Sequence, residues 1–139
     1  MLWRHGRTQW NAQRRFQGHS DIPLDDVGQA QAALAAPMLA SLKPSKIVSS
    51  DLQRARYTAQ ALADLTELDV GIDPQLRETF AGEWEGLGRE ELQERFGDEL
   101  AAWAAGSDLA PGGGERRSEV ALRMAEAIDR ALVDVPDDG

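Results

Sequence analysis

The fold of this chain is most constrained by the regular alternation of short apolar runs with segments of helical periodicity. Three apolar runs, over residues 1–3, 47–50 and 68–72, are each followed by a polar loop or a helical pattern. Strands joined through helices lie parallel in a sheet whose faces the helices cover. The order therefore predicts an α/β fold of three layers, with a mostly parallel sheet and helices on both faces.

The first helix is predicted to begin at Asp25 or Asp26, either of which can serve as its N-cap. Pro37 lies within the pattern and predicts a kink or a helix in two pieces. The expected apolar face comprises Val27, Ala30, Leu34, Met38 and Leu42. Further helices are predicted over 52–65, 90–96, 98–105 and 117–133, and the last has Val120, Met124, Ala127, Ile128 and Ala131 on one face.

Both ends of the chain carry signals of an incomplete domain. Three residues precede the first polar loop, where a buried strand usually has about five or six. The last predicted helix leads into Pro136-Asp137-Asp138-Gly139, a turn that typically returns the chain to another strand. We therefore expect residues 1–139 to form a single domain that is incomplete at both ends and lacks its C-terminal part.

Composition excludes several classes of function. A chain of 139 residues suffices for one domain, and its net charge of −9 argues against general affinity for nucleic acid or an anionic membrane surface. It has no cysteine, which excludes disulfides, thiolate nucleophiles and cysteine-bound metals. No apolar run approaches the roughly 20 residues of a membrane span and no signal peptide is evident, so a cytoplasmic location is expected.

Charged residues follow each of the three predicted strands. They are Arg4-His5-Gly6-Arg7-Thr8, Asp51-Leu52-Gln53-Arg54 and Arg77-Glu78. Ligands of open parallel sheets bind outside the carboxyl ends of the strands. The strand order therefore predicts that Arg4, His5, Arg54 and Glu78 meet at one edge of the sheet.

This set of residues is suited to phosphoryl transfer. Guanidinium groups hold phosphate through paired hydrogen bonds, and a neutral imidazole can attack phosphorus without a metal. Gly6 would let the backbone approach the anion, and Glu78 could protonate the leaving alkoxide and then deprotonate water. Other interpretations stay open: Arg54 could pair with Asp51, and Glu78 could be a solvated loop charge. Trp10, Trp84 and Trp103 are better explained as core or lid packing.

Five ordered motifs resemble the histidine phosphatase superfamily, in its phosphoglycerate-mutase-like branch. The first motif is the run 4–11, which resembles the signature of the family: Arg4-His5-Gly6-Arg7-Thr8-Gln9-Trp10-Asn11. The others are Phe16-Gln17-Gly18 with 21–24, Ser49 to Ala55 with Thr58-Ala59, Leu76-Arg77-Glu78 with 82–87, and Gly113-Gly114-Glu115. The similarity extends over essentially the whole chain.

The resemblance implies roles for individual residues. His5 would be the phosphorylated nucleophile and Glu78 the general acid and base. Phosphate and substrate would be bound by Arg4, Arg7, Thr8, Asn11, Gln17, Gly18 and Arg54. Family members need neither a metal nor another cofactor, and the implied partner is a small phosphorylated metabolite. The oligomeric state stays open, with a homodimer as one form.

The sequence departs from the family pattern at two places. The family has a second histidine in a His-Gly-Gly segment at a strand end, which here would lie beyond Gly139. His19 is the only other histidine, and it lies in the variable part of the 17–21 loop. In addition, Arg116 follows Glu115 where many relatives have a small polar residue.

Hydrolysis is favoured over mutase chemistry, because a mutase that binds a bisphosphate needs additional cations over its pocket. Between Glu78 and Arg89 there is no lysine or arginine. The segments 49–55 and 76–84 resemble actinobacterial phosphatases that act on sugar-phosphoglycerate esters. A mutase-type transferase, a phosphate-binding module without turnover, a purely structural domain and a phosphatase of protein targets are the alternatives.

Overall fold

The computed structural model describes residues 1–133 and 135. The helices are α1 (Gln9–Ala12), α2 (Asp26–Ala40), α3 (Gln53–Thr66), α4 (Arg89–Ala104) and α5 (Arg117–Leu132), and the strands are β1 (Ile47–Ser49) and β2 (Val70–Ile72). Three 3₁₀ turns cover Pro74–Leu76, Gly82–Trp84 and Pro111–Gly113. None of the helices in this part of the chain has the length and apolarity that crossing a membrane requires.

The two strands form a parallel pair connected by α3, as the alternating pattern predicts. Ile47 is opposite Val70, and Ser49 is opposite Ile72. The carboxyl ends of both strands point to the same edge, where the chain continues into residues 50–54 and 73–78. The α/β fold class is confirmed, and this edge bears two of the three predicted charged clusters.

The strand predicted at residues 1–3 is not formed. Met1 and Leu2 are 87% and 85% exposed, while Trp3 is half-buried against apolar side chains of α2, α3 and β1. Within the described residues, no backbone hydrogen bond joins 1–5 to β1. A strand requires such pairing, so the apolar run is a segment without regular secondary structure that leads to His5.

The apolar face predicted for α2 is wrong. Leu34 is 84% and Met38 65% exposed, and Val27, Ala30 and Leu42 are also exposed. The buried residues of this helix are Gly28, Ala32, Ala36 and Leu39. Small side chains at four-residue spacing let α2 lie close to α3, its main packing partner. The close approach outweighs the burial of the larger side chains, which lie on the opposite side.

Two other expectations concern helix continuity. α2 is one helix that includes Pro37, three residues before its end, rather than two pieces. The two helices predicted over 90–105 form the single helix α4, which departs from helical dihedrals at Phe96. That break lies where the two predicted segments meet.

The protein has two clusters of buried apolar side chains. The first joins α2, α3 and β1 through Ala36, Leu39, Ile47, Ala59, Leu62 and Ala63. The second is aromatic: Trp84 is completely buried and packs edge-on against Phe16 and Trp103, with ring centroids 5.3 and 6.0 Å away. Trp84 is therefore a core residue, as expected. The clusters flank the segments that carry the candidate site.

The last predicted helix is present as α5, with Ala127 buried on its apolar face. α5 packs against the Pro74–Leu76 turn that follows β2. The turn predicted at 136–139 lies outside the described residues.

Candidate active site

The loop bearing His5 is held to α3 through the side chain of Thr58. The Gly6 amide donates to Thr58 Oγ1 at 3.0 Å, and that hydroxyl donates to the Arg54 carbonyl at 2.8 Å. His5 Nδ1 lies 2.7 Å from the Gly6 carbonyl oxygen. A carbonyl oxygen can only accept, so Nδ1 carries the proton and Nε2 keeps its lone pair. This is the tautomer that an imidazole nucleophile requires.

The surroundings of His5 favour its neutral form. Burial is the largest influence and lowers the pKa of His5 below its ordinary value of 6.5, against the opposing effect of the Gly6 hydrogen bond. The positive charges of Arg54 and Arg4 lower this pKa further, and the Glu78 charge raises it. The predicted cluster Arg4, His5, Arg54 and Glu78 is thus close enough to be electrostatically coupled. At neutral pH the ring is uncharged and nucleophilic.

Gly6 also has a packing role that sequence reasoning did not include. A Cβ at Gly6 would lie 2.3 Å from the carbonyl oxygen of Gly28 in α2. A Cβ at Gly28 would lie 2.0 Å from the Arg7 carbonyl oxygen. Two glycines therefore let the first turn of α2 lie directly against the loop that bears His5.

Arg54 is the most buried charged group of the site, with 1% of its surface exposed. Its Nη1 donates to the Ser20 carbonyl at 2.8 Å and its Nη2 to the Gly18 carbonyl at 2.7 Å. These bonds use two of the five guanidinium N–H groups, so the side chain is fixed while it retains donors for an anion. Burial lowers the pKa of Arg54, whereas Glu78, Asp21 and Glu85 raise it.

The alternative pairing of Arg54 with Asp51 is wrong. Asp51 forms a two-point ion pair with Arg77, in which Nε lies 2.7 Å from Oδ1 and Nη2 contacts Oδ2. This pair connects the segments that follow β1 and β2. Hydrogen bonding to Arg77 is the main reason why the pKa of Asp51 lies below its usual value.

Glu85 organises the loop whose carbonyls hold Arg54. Its carboxylate accepts hydrogen bonds from the His19 amide at 2.8 Å, from the Ser20 amide at 3.0 Å and hydroxyl at 2.7 Å, and from the Ala81 amide at 3.2 Å. Gly18 has a φ of +51° and lies so close to Glu85 that a Cβ would clash with it. Sequence reasoning missed this function of Glu85. The available signal was its position between Gly82 and Gly86, directly after the Gly82–Trp84 turn.

Three predicted binding residues form an internal network around α1. Thr8 is fully buried and caps α1 by accepting from the Asn11 amide at 3.1 Å, while Asn11 Oδ1 accepts from the Thr8 amide at 3.0 Å. Thr8 Oγ1 also lies 2.6 Å from Gln17 Oε1. The polar segment between the first apolar run and α2 therefore contains one turn of helix, fixed by a reciprocal cap.

The two remaining predicted arginines differ in their contacts. Arg7 Nε donates to Asp25 Oδ2 at 2.8 Å, and Asp25 is the N-cap of α2. Arg4 is exposed next to His5. Arg4 and His5 line a cavity of about 200 Å³ together with Gly6, Gln31 and Thr58. A second cavity of about 500 Å³ lies at the break in α4, far along the chain from these residues.

Glu78 is exposed, and its Oε1 accepts from the neighbouring Thr79 amide at 2.9 Å. Its backbone carbonyl accepts from His19 Nε2 at 2.9 Å and from Arg123 Nη2 at 3.0 Å. Sequence reasoning did not anticipate either contact. Among residues 1–133 and 135, no group of three or more histidine, aspartate or glutamate side chains is arranged to hold a metal ion.

Family models provide the decisive comparison. The model for histidine phosphatase superfamily (branch 1) matches residues 1–138. The chain belongs to this superfamily. The resemblance of its five motifs to the family is thereby confirmed.

Among curated relatives, glucosyl-3-phosphoglycerate phosphatase of Mycolicibacterium vanbaalenii is 41% identical over the whole chain, which covers 62% of that protein. Probable phosphoglycerate mutase GpmB of Yersinia enterocolitica is 39% identical over 94% of the chain and 61% of that protein. The chain thus spans about three fifths of the length of these relatives.

Solved structures agree with this family assignment. The mycobacterial glucosyl-3-phosphoglycerate phosphatase in complex with VO3 superimposes with a TM-score of 0.90 at 38% identity, over 96% of this chain and 67% of that one. The predicted phosphoglycerate-mutase-like architecture is therefore confirmed for this member of the superfamily.

Proposed function

We propose that this chain carries the nucleophile and the phosphate-binding arginines of a phosphatase that hydrolyses a small phosphomonoester through a phosphohistidine intermediate. The observation that supports it best is the state of His5: Nδ1 donates to the Gly6 carbonyl, and Nε2 keeps its lone pair while the ring feels the positive charge of buried Arg54. The orientation and neutral form that attack on phosphorus requires are both present before substrate binds.

The reaction has two steps. His5 Nε2 attacks the phosphorus atom, the bond to the ester oxygen breaks, and Glu78 gives its proton to the leaving alkoxide. Glu78 then takes a proton from water, whose oxygen attacks the phosphohistidine and releases inorganic phosphate with neutral His5. Arg4 and Arg54 stabilise the charge on the phosphoryl oxygens in both steps.

The other predicted binding residues have secondary roles in this proposal. Thr8, Asn11 and Gln17 fix the loop on the substrate side, and the Gly18 carbonyl orients Arg54. Arg7 is held by Asp25 and adds positive charge to the loop that bears His5. The reaction is proposed to need no metal or other cofactor, and a cytoplasmic location remains our prediction.

A sugar-phosphoglycerate ester is the proposed substrate class. Support comes from the name of the 41%-identical relative, glucosyl-3-phosphoglycerate phosphatase. Mutase-type transfer is the second candidate, favoured by the similarity to GpmB. Residues 79–88 contain no lysine or arginine to retain a bisphosphate, which favours hydrolysis.

Trapping the covalent intermediate tests this proposal. The protein is mixed with phosphomonoester substrate, quenched in alkali, digested, and analysed by mass spectrometry for phosphate on the peptide containing His5. We expect the label on His5, its loss in acid, and its absence from His5→Ala. His19→Gln is the matched control and should still be labelled on His5. Label on another residue, or undiminished turnover by His5→Ala, would overturn the mechanism.

A further inference from the structure

Arg123, in the second turn of α5, holds the segment that bears Glu78. Its Nη1 donates to the carbonyl oxygens of Gln75 at 2.6 Å and Arg77 at 2.7 Å, and its Nη2 donates to that of Glu78 at 3.0 Å. One side chain thus binds three carbonyl groups within four consecutive residues. Such convergence fixes the course of the backbone up to the carboxyl group.

Glu115 fixes Arg123 in turn and holds the same segment from the other side. Its two carboxylate oxygens each lie 2.8 Å from Arg123, one from Nε and the other from Nη2. The carboxylate also accepts from the Phe80 amide at 2.7 Å, and the Glu115 amide donates to the Phe80 carbonyl at 2.8 Å. The bonds to Arg123 are the largest cause of the lowered pKa of Glu115.

His19 completes these contacts. Its Nε2 donates to the Glu78 carbonyl at 2.9 Å, and its ring lies against Phe80 with a centroid distance of 5.2 Å. The Glu78 peptide is therefore held by groups from α5, from the 17–21 loop and, through Phe80, from the loop ending at Glu115.

The Glu78 side chain has much weaker restraint of its own. It is exposed, and its carboxylate is bonded to the amide of its neighbour Thr79. Its position relative to the leaving group is consequently set by the backbone. We propose that Arg123, together with Glu115, is a positioning residue that places the Glu78 carboxyl for proton transfer. This inference rests on the proposed function of Glu78 as general acid.

Leaving-group dependence distinguishes positioning from a general structural role. We would compare turnover of an alkyl phosphate with that of 4-nitrophenyl phosphate, whose leaving group departs without protonation. Glu78→Gln should lose about 10²–10⁴-fold on the alkyl ester and much less on the aryl ester. Arg123→Met should show the same selectivity, with a loss of up to about 100-fold on the alkyl ester, because small misplacements carry penalties of that size.

The double variant Glu78→Gln with Arg123→Met should be no slower on the alkyl ester than Glu78→Gln alone, since Arg123 acts through Glu78. Arg130→Met is the matched control. Arg130 lies on the same helix and pairs with Asp73 at 2.8 Å. Arg130→Met should leave the turnover of both esters unchanged. Arg123→Lys should retain part of the turnover that Arg123→Met loses.

A backbone measurement makes the test independent of activity. Hydrogen exchange of the amides of residues 79–81 should accelerate in Arg123→Met and in Glu115→Gln, but not in Arg130→Met. Equal losses on both esters, or losses that multiply in the double variant, would overturn the positioning role. If Glu78→Gln itself shows no leaving-group dependence, the proposed acid fails, whereas accelerated exchange would still establish the backbone contacts.

Discussion

His5 Nδ1 lies 2.7 Å from the carbonyl oxygen of Gly6, the next residue in the chain. The imidazole of the proposed nucleophile is thus oriented by a neighbouring backbone carbonyl and needs no carboxylate partner. Such a carboxylate would raise the imidazole pKa and favour the protonated, unreactive form. The backbone carbonyl fixes the same tautomer but raises the imidazole pKa less than a carboxylate would.

The first prediction concerns the pH dependence of His5. Because its pKa is lowered from 6.5, the neutral ring should persist below pH 6.5, and activity should be lost only as pH falls through the lower value. An NMR titration of the ring C–H resonances would measure this pKa directly. Arg4→Gln removes a charge that lowers it and should therefore raise it. A midpoint above 6.5 in the unmodified protein would contradict the proposed environment.

The second prediction separates two arginines of α3. Arg54→Lys removes the fork that binds the Ser20 and Gly18 carbonyls, so the free energy of unfolding should fall by about 1.5–3 kcal/mol and turnover should drop sharply. Arg56→Lys, on an exposed position two residues later, should stay within about 0.5 kcal/mol. Denaturant unfolding and aryl phosphate turnover would be measured for both. Similar behaviour of the two variants would disprove the role of Arg54.

Glu85 provides the third prediction. Glu85→Gln replaces one acceptor oxygen by an NH₂ group that faces amide donors, so we expect a loss of about 1–3 kcal/mol in unfolding free energy. Glu83→Gln is the control, since Glu83 is exposed, and should change stability by less than about 0.5 kcal/mol. The unfolding free energies of both variants would be measured by chemical denaturation. A Glu85→Gln variant as stable as Glu83→Gln would show that Glu85 does not organise the loop.

The fourth prediction follows from direct attack by imidazole. Turnover should be unchanged by a chelator and unaffected by adding back Mg²⁺, Mn²⁺ or Zn²⁺, because the two arginines supply the positive charge. Activity before and after dialysis against chelator, with metal content determined in the same samples, provides the measurement. Restoration of a lost rate by one of these ions would show that the proposed chemistry is incomplete.

The sequence could reveal the groups that follow strands, because carboxyl ends of parallel strands share an edge. Arg54 and Glu78 were found in this way, and the structure couples both electrostatically to His5. Arg123 could not be found, because its partner Glu78 lies 45 residues away and no local pattern signals a guanidinium that binds carbonyls. The α2 face was mispredicted since periodicity weighs large apolar residues, whereas close packing against residues 6–7 and against α3 selected Gly28 and Ala36.

The contact between Gly6 and Gly28 has a consequence for how this protein can vary. Backbone meets backbone there, so a methyl group on either residue would collide with atoms that no rotamer change can move. Compensation would require moving α2 as a body, which no single substitution elsewhere supplies. A mutational library should therefore be intolerant at both positions on packing grounds alone. The losses at the two positions should also fail to add, because the first substitution already separates the surfaces that the second would disturb.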